Sequence, residues 1–243
     1  MSSDPNRLPH INTIGLLGGM SWESTRIYYR ELNQQINQHL GGLHSAPMVL
    51  VNVDFAPIER LMQAGDWAGI GQRLLGHCRC IQAAGADFLV IATNTMHKLA
   101  PLIEAELDLP LLHIADVVGQ ALRDQGVTTV GLLGTAFTMQ EPFYRDRLRA
   151  RHGIQTLLPN APQRDVVDRV IFTELCHGQL QAESKQAYLD IIDDLAAQGA
   201  QAIILGCTEI GLLVQSSDTS VPLLDATHCH IQAAVEMALN QDP

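Results

Sequence analysis

The chain has 243 residues, of which 47% are hydrophobic and 17% charged, and its formal net charge is −11. This composition is typical of a globular protein and excludes a disordered chain. The negative charge argues against nucleic acid as a partner, because phosphates would be repelled, but a few local donors can still bind a small acidic ligand.

The sequence predicts a cytoplasmic protein with no membrane partner. No apolar run approaches the roughly 18 residues that a membrane helix needs, and the opening MSSDPNRLPHINT lacks an apolar segment of signal-peptide length. Five cysteines without regular spacing predict reduced thiols. The best metal candidate, His228 to His230, places adjacent side chains in different directions, so we expect no metal.

The first half of the chain alternates strands and helices. Strands are predicted over residues 11–17, 48–53, 88–92 and 109–114. Helices are predicted over residues 22–39, 74–84 and 99–106, with a short helix and turn within 54–73. Ser21 follows a glycine turn after the first strand and is the expected N-cap of the first long helix. Thr93, Asn94 and Thr95 end the third strand and can cap the helix that follows.

After residue 116 the pattern starts again. Strands are predicted over residues 129–133 and 154–158, and an apolar run at 202–206 leads into Cys207. Helices are predicted over residues 117–125, 165–177, 184–198 and 231–239, with another ending near 151. Thr138 and Glu141 fit a capping box, although Pro142 directly behind them is an awkward fourth position.

Four anchors recur in the same order and indicate an internal repeat. GLLGG at Gly15 and GLLGT at Gly131 are 116 residues apart, and Thr93 and Cys207 are 114 apart. The pair Gly85-Ala86 and the segment PLL at Pro110 recur at offsets of 114 and 112. Common strand sequences shared by all α/β chains are the alternative explanation.

Alternating strands and helices predict parallel sheets with right-handed crossovers. We therefore expect an α/β protein of two pseudosymmetric lobes, each a parallel sheet flanked by helices, with the site in the cleft between them. The first lobe is predicted over residues 11–116 and the second over 117–224. A C-terminal helix within 225–243 is expected to pack on the first lobe.

Polar residues at the ends of two equivalent strands are the candidate site residues, because ligands bind at the carboxyl ends of strands in open α/β sheets. Cys207 lies where a helix should begin, and helix amides there would lower its pKa and favour a thiolate that acts as base or nucleophile. An inert core cysteine and simple helix caps are the alternative interpretations. His97 is a further candidate acid or base, or a residue that stabilises its loop.

These residues resemble the aspartate/glutamate racemase family, whose members work without pyridoxal phosphate. The resemblance is carried by GLLGGMSWEST, TNTMHK, GLLGTAFTM and GCTEIGLL and extends from about residue 11 to 239. It is greatest for the bacterial L-aspartate/glutamate-specific branch, in which threonine occupies the first catalytic position. The resemblance implies a cofactor-independent isomerase, a homodimer and a small acidic amino acid as substrate.

The family mechanism uses two bases, one on each face of the substrate α-carbon. By resemblance the catalytic pair is Thr93 and Cys207. The residues that the resemblance implies in substrate binding are Met20, Asn94, Thr95, Thr135, Thr138, Thr208 and Glu209. Asn94, Thr95 and Thr208 would hold the α-carboxylate, and Glu209 would orient its neighbours.

Two departures from the family pattern affect these expectations. Most members have cysteine where this chain has Thr93, and a hydroxyl is a poor base near neutral pH, so a slow racemase with unequal directions is predicted. Many aspartate racemases have a lysine where this chain has Cys176, which leaves the contact to the substrate side chain open. The alternatives are a decarboxylase or isomerase of the same superfamily that uses Cys207 alone, and a non-catalytic two-lobed binding protein.

Overall fold

The computed structural model describes residues 10–240, and in this range the strands form two sheets whose neighbouring strands are parallel. The strands are β1 (Ile14–Gly18), β2 (Met48–Asn52), β3 (Phe88–Ile91), β4 (Thr129–Leu133), β5 (Gln155–Leu157), β6 (Ala202–Leu205) and β7 (Leu223–Asp225). Most of the opening segment MSSDPNRLPHINT and residues 241–243 of the predicted C-terminal segment lie outside the described residues.

Helices cover the sheets and connect the strands. They are α1 (Trp22–Leu40), α2 (Phe55–Gln63), α3 (Trp67–Ala83), α4 (Ala100–Glu106), α5 (Ile114–Asp124), α6 (Ala136–Gln140), α7 (Pro142–His152), α8 (Ala161–Thr173), α9 (Ala182–Ala197), α10 (Ile210–Leu213) and α11 (Ala226–Leu239). Short 3₁₀ helices span Thr95–Leu99 and Leu175–His177. The expected α/β fold of two parallel sheets flanked by helices is confirmed.

The two sheets have the same topology. The first has the order β2-β1-β3 and the second the order β5-β4-β6-β7. Leu111 forms an isolated parallel bridge to Leu89, in the place that Leu223 occupies beside Ile203 in the second sheet. These pairs are offset by the 114 and 112 residues found in the sequence repeat, so the structure repeats with the sequence.

The strand predicted over residues 109–114 is wrong in extent, since only Leu111 takes part in a bridge. The chain leaves the sheet early because His113 already caps the next helix: its Nδ1 accepts a hydrogen bond from the N–H of Ala115 at 3.1 Å. Helix α5 therefore begins at Ile114, three residues before the predicted start.

The central strands are apolar throughout because helices cover both faces of each sheet. Successive residues of β1 divide between two buried clusters: Leu16 packs with Val90 on one face, and Leu17 with Ile91 on the other. Every residue of β1 is buried. This burial fixes the position of the strand end, from which the polar residues of the site project.

The last helix packs where the two halves of the chain meet. Helix α11 contacts α1 and α5, and its residues Ile231 and Val235 join the buried cluster that contains Ile14. It begins five residues before the predicted start because Asp225 caps it by accepting the N–H of Thr227 at 2.8 Å. The lobe boundary placed at residue 116 falls inside α5 and stays a prediction.

The capping box predicted at Thr138 is wrong. Thr135 is the N-cap of α6, and its hydroxyl accepts the N–H of Thr138 at 3.3 Å. Helix α6 ends at Gln140, and Pro142 begins α7, where its missing N–H is not needed. The single predicted helix is therefore two helices.

Within residues 10–240 no helix is long and apolar enough to span a membrane. The five cysteines are all free thiols. The described residues contain no group of three or more potential metal ligands. His230 instead bonds the Tyr28 hydroxyl and the Leu112 carbonyl oxygen, each at 2.8 Å.

Candidate active site

One cavity of about 90 Å³ lies between the two halves of the chain, with room for several water molecules or a small ligand. Thr93 and Cys207, which follow the equivalent strands β3 and β6, both line it. Six of the other seven residues expected at the site, Met20, Asn94, Thr95, Thr135, Thr208 and Glu209, line it too. The sequence therefore identified residues that lie more than one hundred positions apart and line the same cavity.

A glycine turn brings the start of α1 to the cavity. Gly19 has a φ of 93°, and a Cβ there would overlap the backbone of Val53. Only glycine allows the chain to turn this tightly after β1. Met20 and Ser21 follow directly and line the cavity.

The side chain of Cys207 is hydrogen-bonded to a neighbouring carboxylate. Its Sγ donates a hydrogen bond to Oε2 of Glu209 at 2.9 Å, and the Thr208 hydroxyl donates to the same oxygen. The thiol is partly buried and the carboxylate is buried. In this arrangement Glu209 orients both of its neighbours.

The prediction of a thiolate at Cys207 is wrong. Burial raises the pKa of Cys207 well above its ordinary value, and the charge and hydrogen bond of Glu209 raise it further. The backbone N–H of Glu209 bonds the Cys207 side chain and lowers its pKa, but this effect is smaller than those that raise it. Helix α10 itself has only four residues and begins at Ile210. At neutral pH the side chain is therefore a thiol, which can give a proton directly but must be deprotonated before it can accept one.

Two serines of the first half hold the Cys207 loop. Ser24 and Thr208 share a hydrogen bond of 2.6 Å between their hydroxyls, in which Ser24 donates because Thr208 already donates to Glu209. The Ser21 hydroxyl donates to Oε1 of Glu209 at 3.4 Å, and the Ser24 hydroxyl lies 3.5 Å from the same oxygen. Sequence reasoning identified Ser21 as a cap at a helix start that could present donors to an anion, and it missed Ser24. The available signal was the three-residue spacing, which places both serines on one face at the start of α1.

Three threonines form the equivalent contact next to Thr93. The hydroxyl of Thr95 lies 3.2 Å from that of Thr138 and 3.5 Å from that of Thr135. Thr138 is 1% exposed and does not line the cavity, unlike Thr95 and Thr135. It supports the two threonines that can reach a ligand.

Asn94 carries an unsatisfied polar atom. The residue is only 6% exposed, and its Oδ1 has no hydrogen-bond partner among the described residues. An unpaired buried acceptor is costly, so such atoms often mark the place of a missing partner. A ligand N–H, such as an α-ammonium group, would satisfy this oxygen.

His97 stabilises the Thr93 loop and does not line the cavity. Its Nε2 accepts the N–H of Ile114 at 3.3 Å, so its Nδ1 carries the proton and donates to the Thr93 carbonyl oxygen at 2.9 Å. Burial lowers the pKa of His97 well below 6.5, which keeps the ring neutral. Of the two roles considered for His97, these contacts fit the structural one.

Sequence reasoning also missed an apolar part of the cavity wall. This wall consists of Phe55 and Met62 from α2, Phe137 from α6, and Ile171 and Phe172 from α8. No motif identifies these residues, because apolar positions on a helix predict residues of the hydrophobic core. Cys176 lies beside them, and burial raises its pKa to about 11.

The fold and the site define a class: a two-lobed α/β protein that places a thiol and a hydroxyl from equivalent strand ends in one small-ligand cavity. Residues 17–234 match the Asp/Glu/Hydantoin racemase family. The chain belongs to this family.

Similar proteins agree with this assignment. The chain is 49% identical to a Yersinia pestis protein proposed to be an Asp/Glu racemase, covering 95% of this chain and 100% of that one with a TM-score of 0.91. It is 28% identical to an aspartate racemase homologue from Pyrococcus horikoshii OT3, with the same coverage and a TM-score of 0.83. It is also 23% identical over 159 residues, 65% of this chain and 68% of the relative, to the broad specificity amino-acid racemase RacX of Bacillus subtilis (strain 168).

Proposed function

We propose that the protein is an amino-acid racemase that moves the α-proton of its substrate between Thr93 and Cys207. The observation that carries this proposal is the shared cavity: each half of the chain contributes one proton-transfer group from an equivalent strand end. Membership of the racemase family supports it. As proposed, the proton transfer needs no cofactor.

In one direction the Cys207 thiolate removes the α-proton and becomes a thiol, leaving a carbanion that takes a proton from the Thr93 hydroxyl on the opposite face. Water then returns a proton to the Thr93 alkoxide, and the Cys207 thiol gives a proton to water before the next turnover. In the other direction Thr93 must first lose its hydroxyl proton to water. Its alkoxide then accepts the α-proton, and the Cys207 thiol gives the carbanion a proton and becomes a thiolate. The free thiolate is scarce at neutral pH because its pKa is raised, so the reaction should be slow and should accelerate as pH rises.

The polar wall of the cavity suits the amino and carboxylate groups of an α-amino acid. The hydroxyls of Thr95 and Thr135 can donate to the α-carboxylate, while the unpaired Oδ1 of Asn94 suits the α-ammonium. This assignment differs from the sequence-based one, which gave Asn94 to the carboxylate. Thr208 stays a candidate carboxylate donor once its hydroxyl is released from Glu209, and Met20 stays a candidate wall residue.

Aspartate and glutamate are the first substrates to assay, because the family and the similar Yersinia pestis and Pyrococcus horikoshii proteins bear their names. Interconversion of their L- and D-forms is the specific hypothesis. Cytoplasmic location and a homodimer stay predictions from the sequence.

The test is exchange of the α-proton in deuterated water, followed by mass spectrometry and chiral chromatography of both enantiomers. Racemisation predicts that deuterium enters the α-position and that the opposite enantiomer appears. Cys207→Ser should lower exchange by about 10²–10⁴-fold, since a serine hydroxyl is a far weaker acid than a thiol. Cys80→Ser, a change at an exposed thiol on α3, is the matched control.

The same assay separates the alternatives. A decarboxylase would release carbon dioxide and form an amine without accumulating the enantiomer. A binding protein would show no exchange with any amino acid, and that result would exclude the proposed function.

A further inference from the structure

The cavity has one polar end and one apolar end. The polar residues come from the two strand ends and from the starts of α1 and α6, whereas Phe55, Met62, Ile171 and Phe172 come from α2 and α8. If the polar end holds the groups on the α-carbon, as the proposed function requires, the substrate side chain extends toward the apolar residues.

No lysine, arginine or histidine lines the cavity within residues 10–240. The acidic residue that lines it is Glu209, a carboxylate. A substrate carboxylate at the apolar end would thus lose its water without gaining a cationic partner, and it would share the cavity with a like charge. Both effects disfavour an acidic side chain.

Three basic residues near the cavity in sequence do not line it: Arg60, Lys98 and Arg169, of which Arg169 is exposed on α8 two positions before Ile171. Lys98 lies in the 3₁₀ helix that begins at Thr95, but its ammonium bonds Glu141 at 3.0 Å and lies 3.9 Å above the Trp67 ring. Trp67 in turn packs edge-on against Phe137, with ring centroids 5.9 Å apart. Lys98 is therefore occupied outside the cavity, and its release would break two interactions.

Arg60 is the basic residue of α2, between the two wall residues Phe55 and Met62. Its Nε donates to the carbonyl oxygen of Ala56 at 3.3 Å, one turn earlier on the exposed face of the helix. Met62 points to the buried side and is 9% exposed. Arg60 and Met62 thus serve opposite faces, and α2 offers the cavity apolar side chains only.

We infer that the side-chain end of this cavity takes an uncharged, largely apolar amino-acid side chain in preference to a carboxylate. The inference rests on the proposed function, because it uses the polar end for the α-carbon groups. It names neutral amino acids as better substrates than the aspartate and glutamate that the family name suggests, with methionine as the representative whose length is close to that of glutamate.

The experiment compares L-methionine, L-glutamine and L-glutamate in the deuterium-exchange assay. We expect kcat/KM to be at least about tenfold higher for methionine than for glutamate, with glutamine between them. Equal or faster exchange with glutamate would overturn the inference and leave the proposed racemase intact. Binding of the same three amino acids is measured in parallel by calorimetry. Should no exchange occur, the proposed function fails, and tighter binding of methionine or of glutamate still decides the inference.

A pair of variants tests the location of the side-chain end. Phe172 is 45% exposed and lines the cavity, so a lysine there can reach the site at little cost in folding. Phe172→Lys should raise the ratio of kcat/KM for glutamate over methionine by at least about tenfold, and salt should weaken the effect. Phe172→Met, which adds no charge, should not raise this ratio. An unchanged ratio in both variants would contradict the assignment.

Discussion

Three buried histidines pack together below the Thr93 loop and should control the acid stability of the protein. The ring centroid of His97 lies 4.7 Å from that of His113 and 5.7 Å from that of His230. Burial lowers the pKa of His113 to about 3 and of His230 to about 4, and that of His97 falls well below 6.5. Arg147 and Arg151 also act on His113 and lower its pKa further. All three rings are therefore neutral in the folded protein near neutral pH.

The size of the effect follows from proton linkage. In the unfolded chain each ring binds a proton near pH 6.5, whereas in the folded chain it stays neutral to much lower pH. The free energy of unfolding is thus highest above pH 6.5 and falls as the pH decreases. Between pH 7 and 5.5 each histidine should remove about 1.3 kcal/mol, and the three together about 4 kcal/mol. This is a large share of the roughly 5–15 kcal/mol that stabilises a typical domain.

His113→Asn isolates one of the three contributions. Asparagine is a good N-cap and can accept the N–H of Ala115, which His113 Nδ1 now accepts, but it does not titrate. The variant should lose only about 2.5 kcal/mol over the same interval, whatever its stability at pH 7. Urea unfolding at the two pH values measures this difference, with exposed His39→Asn as control. Stability that is equal at both pH values, or a wild-type difference in His113→Asn, would refute the reasoning.

Three further changes test the site and its supports. Thr93→Cys should raise exchange by at least about tenfold, because a thiol transfers protons far more readily than a hydroxyl, and an unchanged rate would show that Thr93 does not limit catalysis. Glu209→Gln removes a charge that raises the pKa of Cys207, so the rising limb of the pH–rate profile should move to lower pH. Gly19→Ala should lower the free energy of unfolding by at least about 1–3 kcal/mol in a urea titration, since φ there is 93° and Val53 leaves no space for a methyl group.

The sequence could predict the parts of the fold that depend on local pattern. Apolar strands bounded by glycine, and the repeat at an offset near 114 residues, were enough to identify two similar α/β halves and the strand ends that meet at the site. The ionisation of Cys207 could not be predicted, because it depends on a carboxylate oriented by hydroxyls from a distant helix. The apolar wall was equally hidden, since the pattern of α2 and α8 is the same whether their apolar faces contact a core or a cavity.

The repeat also explains why the two halves of the site should act unequally. Residues 114 positions apart take equivalent places: Ser21 and Thr135, Ser24 and Thr138, Thr93 and Cys207, and Thr95 and Glu209. In each half, the residue two positions after the catalytic candidate bonds to hydroxyls at the helix start of the other half. Two equivalent sets of hydrogen bonds therefore join the two halves of the chain.

Only the chemistry at the equivalent positions differs. The Cys207 thiol donates a hydrogen bond to the carboxylate of Glu209, whereas the equivalent residue after Thr93 is Thr95, which is uncharged. Replacing Glu209 should therefore change proton transfer on the Cys207 face, while replacing Thr95 should change mainly substrate binding. Under the proposed function, Glu209→Gln should alter the ratio of forward to reverse kcat at a given pH, and Thr95→Val should raise KM for both enantiomers. If Glu209→Gln and Thr95→Val changed the kcat ratio by the same factor and KM by the same factor, the two faces would not be chemically distinct.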